Sequence, residues 1–146
     1  MTNLILHIPH SSDKIPFDIG YVVDKKTLDQ EIIKLTDWYT DDLFLFEDSI
    51  VVKADFSRIF CDTERFSDDS QEVMAKYGMG VLYEKSDDGS VIREINTKLR
   101  EDILNNYYWP HHEKLNNAVN DQLKSNELYI QNRMKSRETN KIYASG

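Results

Sequence analysis

The chain has 146 residues, which sets the expectation of a single domain. Apolar residues make up 40% and aromatics 11%, enough for a packed core and against wholesale disorder. The net charge of −8 argues against general binding to nucleic acid or to an anionic membrane, and the single cysteine, Cys61, excludes an internal disulfide framework and a Cys-cluster zinc site.

The N-terminal segment MTNLILHIPHSS lacks a basic region and has only a short apolar run, so it does not read as a signal peptide. No stretch approaches a membrane span. The expectation is a soluble, cytoplasmic protein.

Residues 3–8 (NLILHI) predict a buried strand that Pro9 stops, because the residue before proline is pushed to extended geometry. A turn-rich loop, HSSDKIPFDIG, follows. Leu28, Ile32, Leu35, Tyr39, Leu43 and Phe46 then form one apolar stripe at helical spacing. Thr27 and Gln30 stand at capping-box spacing at its start. SIVVKA (49–54) is β-branched and predicts a second strand.

DFSRIFCDTERFSDDS shows no period and reads as a strand end and a loop whose side chains point into a site. GMGVLYE (78–84) predicts a third strand, and KSDDGS a hairpin turn. Ile92, Ile95, Leu99, Ile103 and Tyr107 give a second helical stripe, and Pro110 either ends that helix or opens a new one. From Ser125 the character changes. The first 124 residues carry −10, and the remaining 22 carry four basic and two acidic residues. This divides the chain into an α/β domain over 1–124 and a divergent tail over 125–146, read as a marginal helix or a mobile end.

Five features could carry chemistry. His10 follows the first strand, where α/β sheets collect ligand sites, and histidine supplies a metal ligand or a general base. Taken alone, such a residue is more often a packed loop histidine. Asp37 and Asp41 stand four apart on the predicted helix, where like charges repel unless a cation or an arginine intervenes. A solvated acidic face is the plainer reading. Arg58 and Arg65, in an aromatic-rich loop, suit bidentate recognition of a carboxylate, with structural ion pairs about as plausible. Cys61 has no histidine near it in sequence and reads as a buried structural thiol. His111 and His112 are adjacent on a helix and point about 100° apart, so joint ligation of one metal is disfavoured.

The stretches LILHIPHSSDKIP, LTDWYTDDLF, SRIFCDTERFSDDSQEVMAKYGMGVLY and YYWPHHEKL, taken in order, resemble the N-formylglutamate amidohydrolase family. The resemblance runs from residue 4 to about residue 123. It implies a three-layer α/β/α fold with a mixed sheet, similar to zinc carboxypeptidases. It also implies hydrolysis of the amide of N-formylglutamate or a related N-acyl amino acid. His10 would then be a zinc ligand. Asp37 is the first choice for the carboxylate ligand and Asp41 the second. Arg65, with Glu64 before it, stands at the family's Asn-Arg-like dipeptide and would bind the substrate carboxylate, while Arg58 would assist at the carboxylate or the oxyanion.

The chain departs from the family pattern at one point. The Asp-x-His-Ser motif that carries the third metal ligand is absent, and His111 or His112 is a candidate substitute. A catalytic zinc takes three protein ligands and keeps one open position. The sequence therefore supports two functions: a zinc-dependent amidohydrolase, or an inactive homologue that binds a small carboxylate or a protein partner. An incomplete sheet would also expose an edge through which copies of the chain could pair.

Overall fold

The computed structural model describes residues 4–144, with side chains to residue 127. The fold is mixed α/β. Strand β1 (Ile5–Ile8) pairs in parallel with β2 (Ile50–Lys53), His7 standing opposite Val52. The crossover between them carries helices α1 (Lys25–Leu35) and α2 (Thr40–Leu43), as a parallel pair requires a long connection. The sheet among the described residues has these two strands only.

The first helical stripe is not one helix. Leu28 and Ile32 are buried, but α1 stops at Leu35. The Thr36 hydroxyl caps the turn by donating to the Ile32 carbonyl at 2.6 Å. Tyr39 takes a left-handed conformation (φ 65°), and α2 starts anew from it. Tyr39, Leu43 and Phe46, which the spacing placed on the buried face, are exposed. The cap also differs from the expected capping box. Asp24 is the N-cap, accepting from the Thr27 backbone N–H at 2.7 Å.

Residues 78–84 do not form the predicted strand. A 3₁₀ helix (Val73–Tyr77) ends at Gly78 in the left-handed region. Single antiparallel bridges follow, Met79 with Tyr83 and Lys85 with Val91, the second closing the expected turn. The second helix begins later than its stripe. Asn96 caps α3 (Thr97–Ile103), so Ile92 and Ile95 precede it. A π-helical turn (Leu104–Tyr108) links α3 to α4 (Trp109–Ala144).

Pro110 therefore does not end the helical path but stands in the first turn of α4, the second of the two expectations. The wide turn immediately before it, in which the Trp109 N–H donates to the Leu104 carbonyl, accommodates a residue that lacks a donor and would crowd a regular turn. The backbone of the tail continues α4 as far as Ala144. The side chains beyond 127 lie outside the described residues.

Two apolar clusters hold the site loop between them. Phe56, Phe60, Cys61, Val81, Leu82, Leu99, Ile103 and Tyr108 form one. Leu28, Ile32, Ile59, Tyr83 and Ile92 form the other. Phe56, Phe60 and Cys61 of the loop face the first and Ile59 the second, so its apolar residues follow no single period. The loop is buried without being a strand, so its backbone groups find other partners. Ser57 N–H donates to Lys14 O at 2.7 Å, and Asp62 N–H to Val81 O at 2.8 Å. Arg93 is buried between the rings of Tyr21 and Phe60 and donates to Phe60 O at 2.9 Å.

Candidate functional site

His10 lies just past the C-terminal end of β1 and is buried. Its Nε2 is 2.8 Å from Oδ1 of Asp62, which is fully buried. The carboxylate is acceptor-only when ionised, so Nε2 carries the proton and donates. The other ring nitrogen is Nδ1. It faces Asp37 Oδ2 at 3.5 Å and Glu64 Oε2 at 3.7 Å, both too far for a hydrogen bond.

The end of α1 positions Asp37. Its backbone N–H donates to the His10 carbonyl at 2.9 Å, tying the helix end to the loop after β1. Asp37 thus sits between two helices, and not on one helix face with Asp41. Asp41 points elsewhere, to Lys53 Nζ at 3.3 Å. Glu64 is placed by its own backbone N–H, which donates to Asp62 Oδ1 at 3.1 Å.

Asp62 is the hub. Its second oxygen accepts from Arg58 Nη2 at 3.1 Å and from the Tyr83 hydroxyl at 3.0 Å, with Arg65 Nε at 3.5 Å. Arg58 also donates through Nε to the Tyr83 oxygen at 3.2 Å. Burial pushes the Asp62 carboxyl up, but the hydrogen bond from His10 and the charges of His10 and Arg58 outweigh it and hold the carboxyl below its usual range. Burial lowers the Arg58 pKa, yet Tyr83 and Asp62 raise it overall. Burial, then the Asp62 charge, raises Tyr83.

Arg58 and Arg65 are half-buried on the same loop, and Arg65 also reaches Glu72 at 3.5 Å. The Arg65 Nε, Ser11 Oγ and Thr63 Oγ1 are buried with no hydrogen-bond partner among the described residues. They belong to the same loops as His10 and Asp62. A cavity of about 340 Å³ opens beside them, lined by Leu6, His7, Pro9, His10, Asp37, Thr40, Phe44 and Glu64. A larger cavity of about 510 Å³ lies against α1 and Tyr21 and contains none of the sequence-predicted site residues.

The two histidines of α4 diverge, as adjacent helical residues do. His112 donates to the Thr63 carbonyl at 2.8 Å. His111 is buried against β1, its Nε2 2.8 Å from Nε2 of His7, so one ring donates to the other. Burial lowers the His111 pKa to about 4, with His7 and His112 adding to the effect.

The structure thus brings His10, Asp37, Glu64, Arg58 and Arg65 to one loop cluster. Asp62, Tyr83 and His7 were assigned no role from the sequence. Asp62 and Tyr83 do stand in the run from Ser57 to Tyr83, four residues after Arg58 and at its end. Spacing alone gives no reason to select an aspartate inside an aromatic loop.

The protein is mixed α/β, and its buried histidine–aspartate pair follows a parallel strand beside a cleft, where such sheets collect ligand sites. The chain belongs to the N-formylglutamate amidohydrolase family, whose profile matches residues 2–141. Its fold is similar to the crystal structure of N-formylglutamate amidohydrolase from Ralstonia eutropha JMP134, with a TM-score of 0.73 at 22% identity. That match covers 84% of this chain and 49% of the other, so this chain spans about half the length of that structure. No curated protein matches the chain.

Proposed function

We propose that this chain takes part in hydrolysing the amide of a small N-acyl acidic amino acid at the site around His10. The observation that carries the reading is His10 itself. It is buried, bonded through Nε2 to Asp62, and turns Nδ1 toward Asp37 and Glu64, which line the cleft with it. That is the orientation a carboxylate imposes on a metal-ligating histidine.

Zinc is the ion that the family resemblance implies. Nδ1 of His10 and the Asp37 carboxylate would hold it, and a nitrogen–oxygen donor pair suits zinc. Among the described residues no group of three His, Cys, Asp or Glu side chains is already gathered to hold an ion. When bound, a zinc ion supplies Lewis-acid polarisation and a water of lowered pKa.

The remaining roles belong to the arginines and to Asp62. Arg58 and Arg65 each lean on Asp62 with one side of the guanidinium, which leaves further donors for a substrate carboxylate. Asp62 keeps the His10 tautomer and fixes both arginines, so one buried charge orients three groups. The zinc-carboxypeptidase-like layering is part of this proposal, supported by the parallel β1–β2 pair and its helical crossover.

The test is release of formate from N-formyl-L-glutamate by the full chain, with and without a chelator. Release lost on chelation and in His10→Ala supports the reading. Release indifferent to His10 sinks it. Thermal stabilisation by N-acyl glutamate that needs Arg65, without any turnover, would instead support a binding homologue.

A further inference from the structure

We propose that the cleft beside His10 holds the acyl group of the substrate, that this group is longer and more apolar than formyl, and that Phe44 is the wall that selects it. The proposal rests on the reading above and names the acyl side of that substrate.

The charges divide the site in two. The ring nitrogens of His10 face different groups: Nε2 meets Asp62 at 2.8 Å, and Nδ1 faces Asp37 and Glu64 at 3.5 and 3.7 Å. Arg58 and Arg65 stand with Asp62, 3.1 and 3.5 Å from its second oxygen. The cleft opens on the side of Asp37 and Glu64, and among the described residues its lining holds no arginine or lysine. The two carboxylates that line it repel another carboxylate. A substrate whose carboxylate goes to the arginines and whose amide lies at His10 therefore turns its acyl group into the cleft.

The cleft suits an apolar group of some length. Leu6 and Ile8, on one face of β1, Pro9 at its end and Phe44 just past α2 supply an apolar wall. The volume of about 340 Å³ lies within the range of about 300–1,000 Å³ usual for small-molecule sites. A formyl group, one carbon and one oxygen, would leave most of that space and its wall in water. Phe44 is 51% exposed, so an acyl chain laid against it removes apolar surface from water.

Phe44 is also held in place. The Thr40 hydroxyl donates to the Asp37 carbonyl at 2.9 Å, and Lys53 meets Asp41 at 3.3 Å, which ties α2 to the site and to β2. The Phe44 N–H donates to the Thr40 carbonyl at 3.3 Å. Phe44 belongs to neither apolar cluster, so replacing it leaves the core intact.

The experiment sets N-formyl-, N-acetyl- and N-butanoyl-L-glutamate against the full chain. Dissociation constants come from the ligand dependence of the melting temperature, and kcat/KM from release of the acyl acid. The expected result is tighter binding and higher kcat/KM along the series, about four-fold per added methylene, the gain from burying one CH₂. Phe44→Ala should cut the butanoyl-to-formyl ratio by about ten-fold, the scale of a lost contact in an apolar pocket. Leu45→Ala, exposed beside it and outside the cleft lining, should leave that ratio unchanged. If N-formylglutamate is bound and turned over best, or if Phe44→Ala keeps the preference of the parent, the acyl assignment is overturned and the reading at His10 stands. If the chain neither binds nor hydrolyses any of the three, both fall.

Discussion

His10 and Asp62, 52 residues apart in the chain, are joined by a 2.8 Å hydrogen bond and are both buried. The same carboxylate holds Arg58 and Tyr83 through its other oxygen. One buried charge thus ties the end of β1 to the arginine loop and to residue 83.

Removing Asp62 leaves the buried donors of His10 and Tyr83 and the Nη2 of the half-buried Arg58 without that acceptor. Breaking such a buried pair costs about 3–5 kcal/mol. Asp62→Ala is therefore expected to lose stability of that order, measured by urea unfolding. Tyr83→Phe removes one neutral donor to Asp62 and the acceptor of Arg58 Nε, and is expected to cost about 1–2 kcal/mol. A loss in Asp62→Ala no larger than in Tyr83→Phe would show that the carboxylate is not the hub.

Much of this site was legible in the sequence. The strand before Pro9 placed His10 at a strand end, and Arg58 and Arg65 read as a pair on one loop. Asp37 was found for a reason the structure revises. Helical spacing put it on a face with Asp41, but Thr36 ends the helix, and a backbone bond to His10 O turns Asp37 to the site. Periodicity carries no information about a helix stop made by one threonine hydroxyl and one left-handed tyrosine. Residues 78–84 failed differently. Glycines flanking Val81, Leu82 and Tyr83 look like a strand, yet those residues are buried by contacts from separate core clusters and not by ladder pairing. Asp62 and Tyr83 gained their meaning only from the fold, because their partners lie far along the chain.

Cys61 is expected to be inert in the native state. It is fully buried, and burial, with the neighbouring Asp62 charge, pushes the thiol well above its usual range. A thiol-reactive chromogenic disulfide added to folded protein should show no reaction over minutes, and one thiol per chain after denaturation. Rapid native labelling would contradict the burial of this loop.

Two glycines separate backbone strain from steric conflict. Gly20 and Gly89 both have positive φ, +89° and +87°. A Cβ at Gly89 would meet nothing within 4 Å, whereas at Gly20 it would lie 2.6 Å from the Glu94 carbonyl oxygen. Gly89→Ala is expected to cost about 1 kcal/mol, the left-handed penalty alone. Gly20→Ala should cost clearly more, because backbone must shift around the Gly20 O to Glu94 N–H bond. Thermal melts of the two variants make the comparison, and equal losses would refute the close packing at Gly20.

The His7–His111 pair links α4 to β1 and makes that docking sensitive to acid. Both rings have pKa values lowered chiefly by burial, His111 to about 4, and the neighbouring histidines add to this. Lys114 faces His111 as a further repulsive charge, while Asp55 favours its protonated form, as Glu64 does for His7. A histidine whose folded pKa is depressed binds fewer protons folded than unfolded. Its contribution to stability is full above the unfolded value near 6.5 and is lost as pH falls toward about 4. Melting temperatures at pH 7.5 and pH 5 should therefore differ more for the parent chain than for His111→Gln, which cannot take up the proton. The carboxylates titrate alike in both proteins and cancel in the comparison. An equal drop in the two would show that the pair does not couple protonation to the seating of α4 on β1.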